Sequence, residues 1–166
     1  MMLDVETSSG EAGRGLNDAV LTRGPLSRML AFEVRVDGEL AAEHDGDGLI
    51  VASPTGSTAY SLSAGGPLLM PDVEALLVVP ICAHSLGTRP VVLDAARTVE
   101  VRLTGGGREA HLTIDGQVDW PLGPGATVTV RRSPARALLV ELGRRSWFGT
   151  VREKLHWTPA KGEGAP

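Results

Sequence analysis

The chain is short of aromatics, cysteine and clustered positive charge, and each shortage narrows what it can be. Aromatic residues make up 4 % of its 166 residues, whereas glycine (21) and proline (11) both exceed average usage. That balance argues against a helical bundle and for many short elements joined by tight turns. The one cysteine, Cys82, has no partner for an internal disulfide. With Val78–Cys82 reading as a buried strand, a reducing, cytoplasmic setting is expected. The net charge is −4 and no basic block stands out, which speaks against a nucleic-acid partner. No window approaches the roughly 18 apolar residues of a membrane span. The opening residues, MMLDVETSSGE, lack the basic and apolar regions of a secretory signal. The length favours one domain with room for a sizeable core.

What is present is a series of short apolar runs about ten residues apart. Met1–Thr7 alternates like a strand, though it begins abruptly, as at a domain boundary, and residues 8–15 read as a loop. Leu16–Arg23 and Met29–Val36 read as strands. The second leads through Asp37-Gly38, a pair suited to a two-residue hairpin turn, into Glu39–Glu43. Leu49–Ser53 is a strand ended by Pro54. A helix is predicted over Ser57–Ala64, capped by Gly56 or Ser57, with Ala59, Leu62 and Ala64 toward the core. Further strands are expected at Glu74–Pro80, Pro90–Leu93, Thr98–Leu103, His111–Ile114, Thr127–Arg132 and Ala137–Leu142. Trp147, Phe148, Val151 and Leu155 then mark one amphipathic helix, and 158–166 reads as a disordered polar tail. The expected fold is mainly β: a multi-stranded, layered, β-sandwich-like domain over residues 1–157 with one or two short helices.

Three stretches carry candidate chemistry. Asn17-Asp18 interrupts an apolar strand, where the pair is a poor β choice. It reads either as a strand end or bulge, or as an amide and a carboxylate facing a pocket, able to meet a purine edge and ribose hydroxyls. His44-Asp45-Gly46-Asp47-Gly48 hints at a metal. An EF-hand loop from Asp45 would need Glu at its twelfth position, which is Gly56, so a glycine-rich turn is the better reading and no metal site is assigned. The most distinctive stretch is SPTGSTAYSLSAGG, residues 53–66, which sets the sole tyrosine among small hydroxyl residues. It is not a Walker loop, lacking Gly-Lys-Ser/Thr, nor a nucleophile elbow, lacking that motif's second glycine. It reads as a helix start with small residues for close packing, or as a lining for an anionic or nucleotide ligand.

Taken in order, Asn17-Asp18, Asp47-Gly48-Leu49-Ile50-Val51, Pro54-Thr55-Gly56-Ser57-Thr58-Ala59-Tyr60 and Ser61-Leu62-Ser63-Ala64-Gly65-Gly66-Pro67 resemble the C-terminal domain of the NAD kinase family. Pro80 with Ala83-His84-Ser85-Leu86, Arg89-Pro90, Asp115-Gly116-Gln117 and the terminal Phe148, Lys154-Leu155 and Trp157 continue the resemblance across nearly the whole chain.

The resemblance implies phosphorylation of the 2′-hydroxyl of the adenosine ribose of NAD, with ATP or polyphosphate as donor and a divalent metal, Mg²⁺. In that family an N-terminal α/β domain carries a Gly-Gly-Asp-Gly loop with the general base, and a β-rich domain supplies most of the NAD site. Gly46-Asp47-Gly48 precedes the Thr-Ala-Tyr run and so matches the substrate-binding Asp-Gly, not the catalytic loop. The chain is therefore expected to be the substrate-binding half, without a catalytic residue and with negligible kinase activity alone.

By position, the resemblance sets Asn17 on the adenine and Asp18 on its ribose. Thr58, Ala59, Tyr60 and Ser63 surround the adenine, with Ser61 and Leu62 in the same run. Asp47 faces the nicotinamide end, in a pocket shared across a subunit interface, and Arg28 and Gln117 also line the site. Asp18 stands where many members have Glu, one methylene longer, and a water can span the difference. Asp45 stands where many have a basic or neutral residue, so no phosphate role is given to it. Partners expected on this footing are NAD, ATP, the N-terminal domain and further copies in a homodimer or homotetramer. Two other readings are the related β-domain of a diacylglycerol-type lipid kinase and a free-standing dinucleotide-binding module. The intact Thr-Ala-Tyr run, Asn17-Asp18 and the lack of an apolar lid argue against the lipid kinase.

Overall fold

Short apolar runs, alternating with polar residues in strands such as Leu3–Thr7 and Val99–Leu103, build two sheets around one core. A computed structural model describes residues 1–24, 29–85, 87–105, 109–140 and 146–156. The strands are β1 (Leu3–Thr7), β2 (Ala12–Gly15), β3 (Asp18–Arg23), β4 (Leu30–Val36), β5 (Glu39–Gly46), β6 (Gly48–Ala52), β7 (Ala75–Ile81), β8 (Val91–Asp94), β9 (Val99–Leu103), β10 (Ala110–Ile114), β11 (Val118–Leu122) and β12 (Thr127–Arg132). A 3-10 turn (Thr55–Thr58) and helix α1 (Tyr60–Ser63) follow β6, and helix α2 (Trp147–Lys154) comes last. One sheet has the order β2-β1-β12-β9-β4-β5 and the other β11-β10-β3-β6-β7-β8. Every pairing is antiparallel. The expected β-sandwich with two short helices is therefore the fold.

The core lies between the sheets. Leu3, Val5, Phe32, Val101 and Val130 of the first meet Leu21, Leu49, Val51 and Leu112 of the second. A smaller cluster, Val20, Ile50, Ala52, Leu77, Val79 and Ile81, covers the outer face of the second sheet, with Ala64 and Leu69 packed on it. This second layer explains why β6 reads as a continuous apolar run: all five of its residues are buried, as in a strand covered on both faces. It also sets the hydroxyl-rich segment on that outer face.

Two Asp-Gly pairs turn as their chemistry demands. Asp37 and Gly38 have φ of 52° and 83°, and Asp115 and Gly116 have φ of 51° and 64°, the left-handed pair of a tight hairpin. The first joins β4 to β5 and the second joins β10 to β11.

Several expectations need correction. Residues 12–15, read as loop, form the edge strand β2. Glycine suits it because a Cβ on Gly13 would lie 2.7 Å from Ile114 Cδ1 and 2.9 Å from Trp120, so bare backbone is required where the other sheet closes over this edge. Strand β11 was not foreseen at all, since Pro121 argues against a strand. It is tolerated because β11 is the edge of its sheet. Asn17 lies in a bend before β3, so the strand starts at Asp18. The helix over Ser57–Ala64 is broken at Ala59 (φ −96°, ψ −133°) into the 3-10 turn and α1, with no side-chain cap. Cys82 is exposed with φ of 47°, just past the end of β7, and is not a buried strand residue. Residues 137–140 belong to neither sheet, contrary to the strand expected over Ala137–Leu142, whose last two residues lie outside the described set. The terminal helix forms as expected, capped by Ser146, whose hydroxyl accepts the Gly149 N–H at 3.1 Å. The tail at 158–166 also lies outside the described residues.

Candidate functional site

The site is assembled where the bend before β3 meets the turn after β6. These two strands pair, with Asp18 opposite Ala52, so their adjoining ends arrive together. The Asn17 carbonyl accepts the Ser53 N–H at 2.8 Å, and the Ser53 hydroxyl donates to the Leu16 carbonyl at 2.6 Å. Gly56 then lies directly on Asn17. A Cβ there would stand 2.1 Å from the Asn17 carbonyl oxygen and 2.9 Å from its Cα. Asn17 and the hydroxyl-rich turn thus share one surface.

Asp115 fixes the bend. Its Oδ2 accepts the Leu16 N–H at 2.7 Å, and its Oδ1 accepts the N–H groups of Asn17 at 2.7 Å and Asp18 at 3.0 Å. The Asp115 N–H in turn donates to the Asp18 carbonyl at 3.0 Å. The sequence marked Asp115 only as part of the Asp-Gly-Gln run of the resemblance; its backbone here is left-handed, with φ of 51°.

Asp18, 5 % exposed, is the buried carboxylate of the site. Burial, followed by repulsion from the Asp115 carboxylate, pushes its pKa up to about 6. It is mostly ionised at neutral pH and is protonated in mild acid.

The hydroxyl cluster divides into two groups. Ser53, Ser57 and Ser61 are buried and serve the fold or sit within it. Ser57 donates to the Pro54 carbonyl at 2.6 Å and accepts the Leu69 N–H at 3.0 Å. The Ser61 hydroxyl has no hydrogen-bond partner among the described residues and is pressed against Gly66, where a Cβ would lie 2.4 Å from it. Thr58, Ser63 and Tyr60 are exposed, Ala59 and Leu62 half-buried. These five form the open face of the segment. Thr58 donates to the Thr55 carbonyl at 3.2 Å. Helix α1 is a single turn, too short for a helix terminus to act as an anion site.

Two predicted positions lie apart or at the margin. Gln117 is exposed on the hairpin beside Asp115, its N–H donating to the Ile114 carbonyl at 3.0 Å. Asp47 sits at the far end of β6, where it pairs with Arg23 Nε at 2.7 Å. With five strand residues between Asp47 and Ser53, it is about 20 Å from Asn17 at 3.3 Å per residue. Arg28 lies outside the described residues. A cavity of about 210 Å³ between Pro54, Thr55, Thr58 and α2 borders the open face. It is smaller than the roughly 300–1,000 Å³ of a complete small-molecule pocket.

Fold and site together define a two-sheet β domain with a polar wall on the outer face of one sheet. Residues 16–142 match the ATP-NAD kinase C-terminal domain, and the chain belongs to that family. It is 45 % identical over 142 residues to the NAD kinase of Koribacter versatilis, covering 86 % of this chain and 50 % of the relative. It is 42 % identical over 161 residues to that of Geobacter metallireducens, covering 95 % and 57 %. The chain thus spans about half the length of the curated relatives it matches. In structure it is similar to yeast NADH kinase complexed with NADH (TM-score 0.84, 26 % identity, 99 % of this chain and 51 % of that one). It is also similar to an NAD kinase from Archaeoglobus fulgidus in complex with ATP (TM-score 0.70, 30 % identity, 80 % and 51 %).

Proposed function

We propose that this chain is the NAD-binding half of an NAD kinase, which transfers a phosphoryl group to the 2′-hydroxyl of the adenosine ribose of NAD. The observation that carries the reading is the contact of Asn17 with Gly56, which joins an amide, a buried carboxylate and a tyrosine-bearing hydroxyl turn in one surface. The Asn17 amide offers donor and acceptor together, as a purine edge requires. The Asp18 carboxylate accepts from ribose hydroxyls, and Thr58, Ala59, Tyr60 and Ser63 wall the adenine. Asp47, too distant to share a ligand end with Asn17 in one copy, reaches the nicotinamide end from a second copy in a homo-oligomer.

Phosphoryl transfer needs an aligned acceptor oxygen, neutralised charge and a group to take the proton. This surface supplies the first by fixing where the ribose 2′-oxygen points, a contribution worth several kcal/mol of barrier under good alignment. The base and the phosphate donor's cradle, for ATP or polyphosphate, are assigned to the part of the relatives this chain does not span. Among the described residues no group of three or more His, Cys, Asp or Glu could hold a metal ion. Mg²⁺, which is usually held by one or two carboxylates together with substrate phosphates, is assigned with the donor. The single cysteine supports a reducing, cytoplasmic setting.

Isothermal titration with NAD, NADP and ATP tests the reading. Saturable NAD binding, weakened at least tenfold by Asn17→Ala, is expected, a loss of about 1.4 kcal/mol. Binding of ATP with none of NAD would overturn it. In a coupled assay the isolated chain is expected to form NADP at a negligible rate.

A further inference from the structure

Helix α2 turns one side toward the hydroxyl-rich turn. Trp147, Thr150, Val151, Lys154 and Leu155 recur at the three- and four-residue spacing of a single helical face. All of them line the 210 Å³ cavity, opposite Pro54, Thr55, Thr58 and Pro71. Its walls are mostly apolar, and Pro54, Pro71 and the Trp147 indole offer ring surfaces. The indole is braced by Phe148, whose ring lies edge-on to it with centroids 4.8 Å apart. Lys154 is the only charged residue of the lining, and it forms no ion pair among the described residues. Arg152, the other base of the helix's last turn, does not reach the cavity. In the same lining Thr58 and Thr150 donate to the carbonyls of Thr55 and Ser146. The Thr55 hydroxyl donates to nothing among the described residues.

We propose that this cavity binds a small aromatic acid, with one or two rings against Trp147 and the prolines and a single anionic group on Lys154 and the Thr55 hydroxyl. Size sets the upper limit, since about 210 Å³ is less than the roughly 300–1,000 Å³ of a pocket for a larger ligand. Charge sets the rest. Lysine is a point charge with rotatable donors, suited to one carboxylate or phosphate group, and it lacks the fork by which arginine grips such groups with paired bonds. An anion there gains a charge-assisted hydrogen bond. A neutral ring of the same shape leaves the ammonium facing apolar walls without a partner. Thr58 borders both the cavity and the open face of the turn, so this ligand lies beside the proposed adenine wall without filling it. The inference goes beyond the NAD kinase reading and does not rest on it.

NMR titration of the isotope-labelled 166-residue chain tests this with probes of one shape: 1-naphthoate, 1-naphthyl phosphate and the neutral 1-naphthamide. The indole N–H signal of Trp147, identified by its loss in Trp147→Phe, reports on the cavity. That of Trp120, which packs at Gly13, is the control. Saturable movement of the Trp147 signal is expected with at least one of the acids, at an affinity about tenfold or more above that of the amide. The tighter of the two acids identifies the head group as carboxylate or phosphate. Lys154→Ala keeps a strong helix former in α2. It is expected to weaken the acid about tenfold and leave the amide unchanged, and Lys154→Arg to restore part of the loss. No movement with any probe, equal affinity for acid and amide, or a loss in Lys154→Ala that the amide shares would overturn the proposal. So would displacement of the bound acid by NAD, which would make the cavity part of the dinucleotide site. NAD titration of the same sample separates the two readings. A chain that takes 1-naphthoate but no NAD keeps this site and loses the kinase assignment, and one that takes NAD but neither acid does the reverse.

Discussion

Asp115 lies beneath Asn17, its Oδ1 accepting the Asn17 N–H at 2.7 Å, and with the same carboxylate it holds the amides on either side. A residue that touches no proposed ligand group therefore sets the direction of two that do.

Replacing Asp115 by alanine removes three charge-assisted hydrogen bonds and puts a Cβ-bearing residue with no local hydrogen bond at φ of 51°. Each such bond is worth about 1.5–3 kcal/mol where the amide is left dry. Partial access to water lowers the total, and a destabilisation of about 3 kcal/mol is expected in urea melts. NAD affinity should fall along with it. An unchanged melt would show that the bend holds itself.

Under the proposed function, Asp18 makes NAD binding depend on pH. Its pKa of about 6 means that at pH 5 roughly one molecule in ten carries the carboxylate that ribose hydroxyls need. Affinity is expected to rise about tenfold from pH 5 to pH 7 and then level off. Asp18→Asn should flatten the profile at low affinity.

The same group acts on stability with the opposite sense. Its folded pKa lies above its unfolded one, so the native state binds the proton more tightly, and Asp18's contribution is most favourable below about pH 4. It is lost as pH rises through 6, by up to about 3 kcal/mol. Asp18→Asn is therefore expected to stabilise the fold at pH 8 even as it weakens NAD. Equal melts for both proteins at pH 8 would contradict the assigned burial.

Gly56→Ala places a methyl 2.1 Å from a backbone oxygen, an approach no rotamer change relieves. Overpacking of this kind costs about 1–3 kcal/mol. Because the obstruction is Asn17 itself, NAD affinity should fall further than stability alone explains, and calorimetry beside thermal melts separates the two losses.

Ser61→Ala removes a buried hydroxyl that has no partner among the described residues. Stability is expected to hold or rise by up to about 1 kcal/mol, with NAD affinity unchanged. A large drop in affinity would mean that the hydroxyl turns to meet the ligand.

The sequence carried the architecture better than the edges. The Asp37-Gly38 turn was legible because few residues tolerate a left-handed pair, and β6 was legible because burial on two faces leaves an unbroken apolar run. Strands β2 and β11 were not, since glycine and proline signal loop locally and only their edge positions permit them. In the site, Asn17-Asp18 and the tyrosine-bearing turn stood out by composition. Which serines serve the fold and which face solvent did not, because that depends on Leu69 and Gly66, brought in by tertiary packing. Asp115 as the support of the bend was hidden for the same reason.

The bonds from Asp115 span 97 to 99 positions of the chain. A nascent polypeptide carries Asn17 and the hydroxyl turn long before the carboxylate that aims them is synthesised. Under the proposed function, recognition of the dinucleotide switches on late, only once the sandwich has closed, and a nucleotide titration of this protein doubles as a gauge of how much of it has reached the native topology.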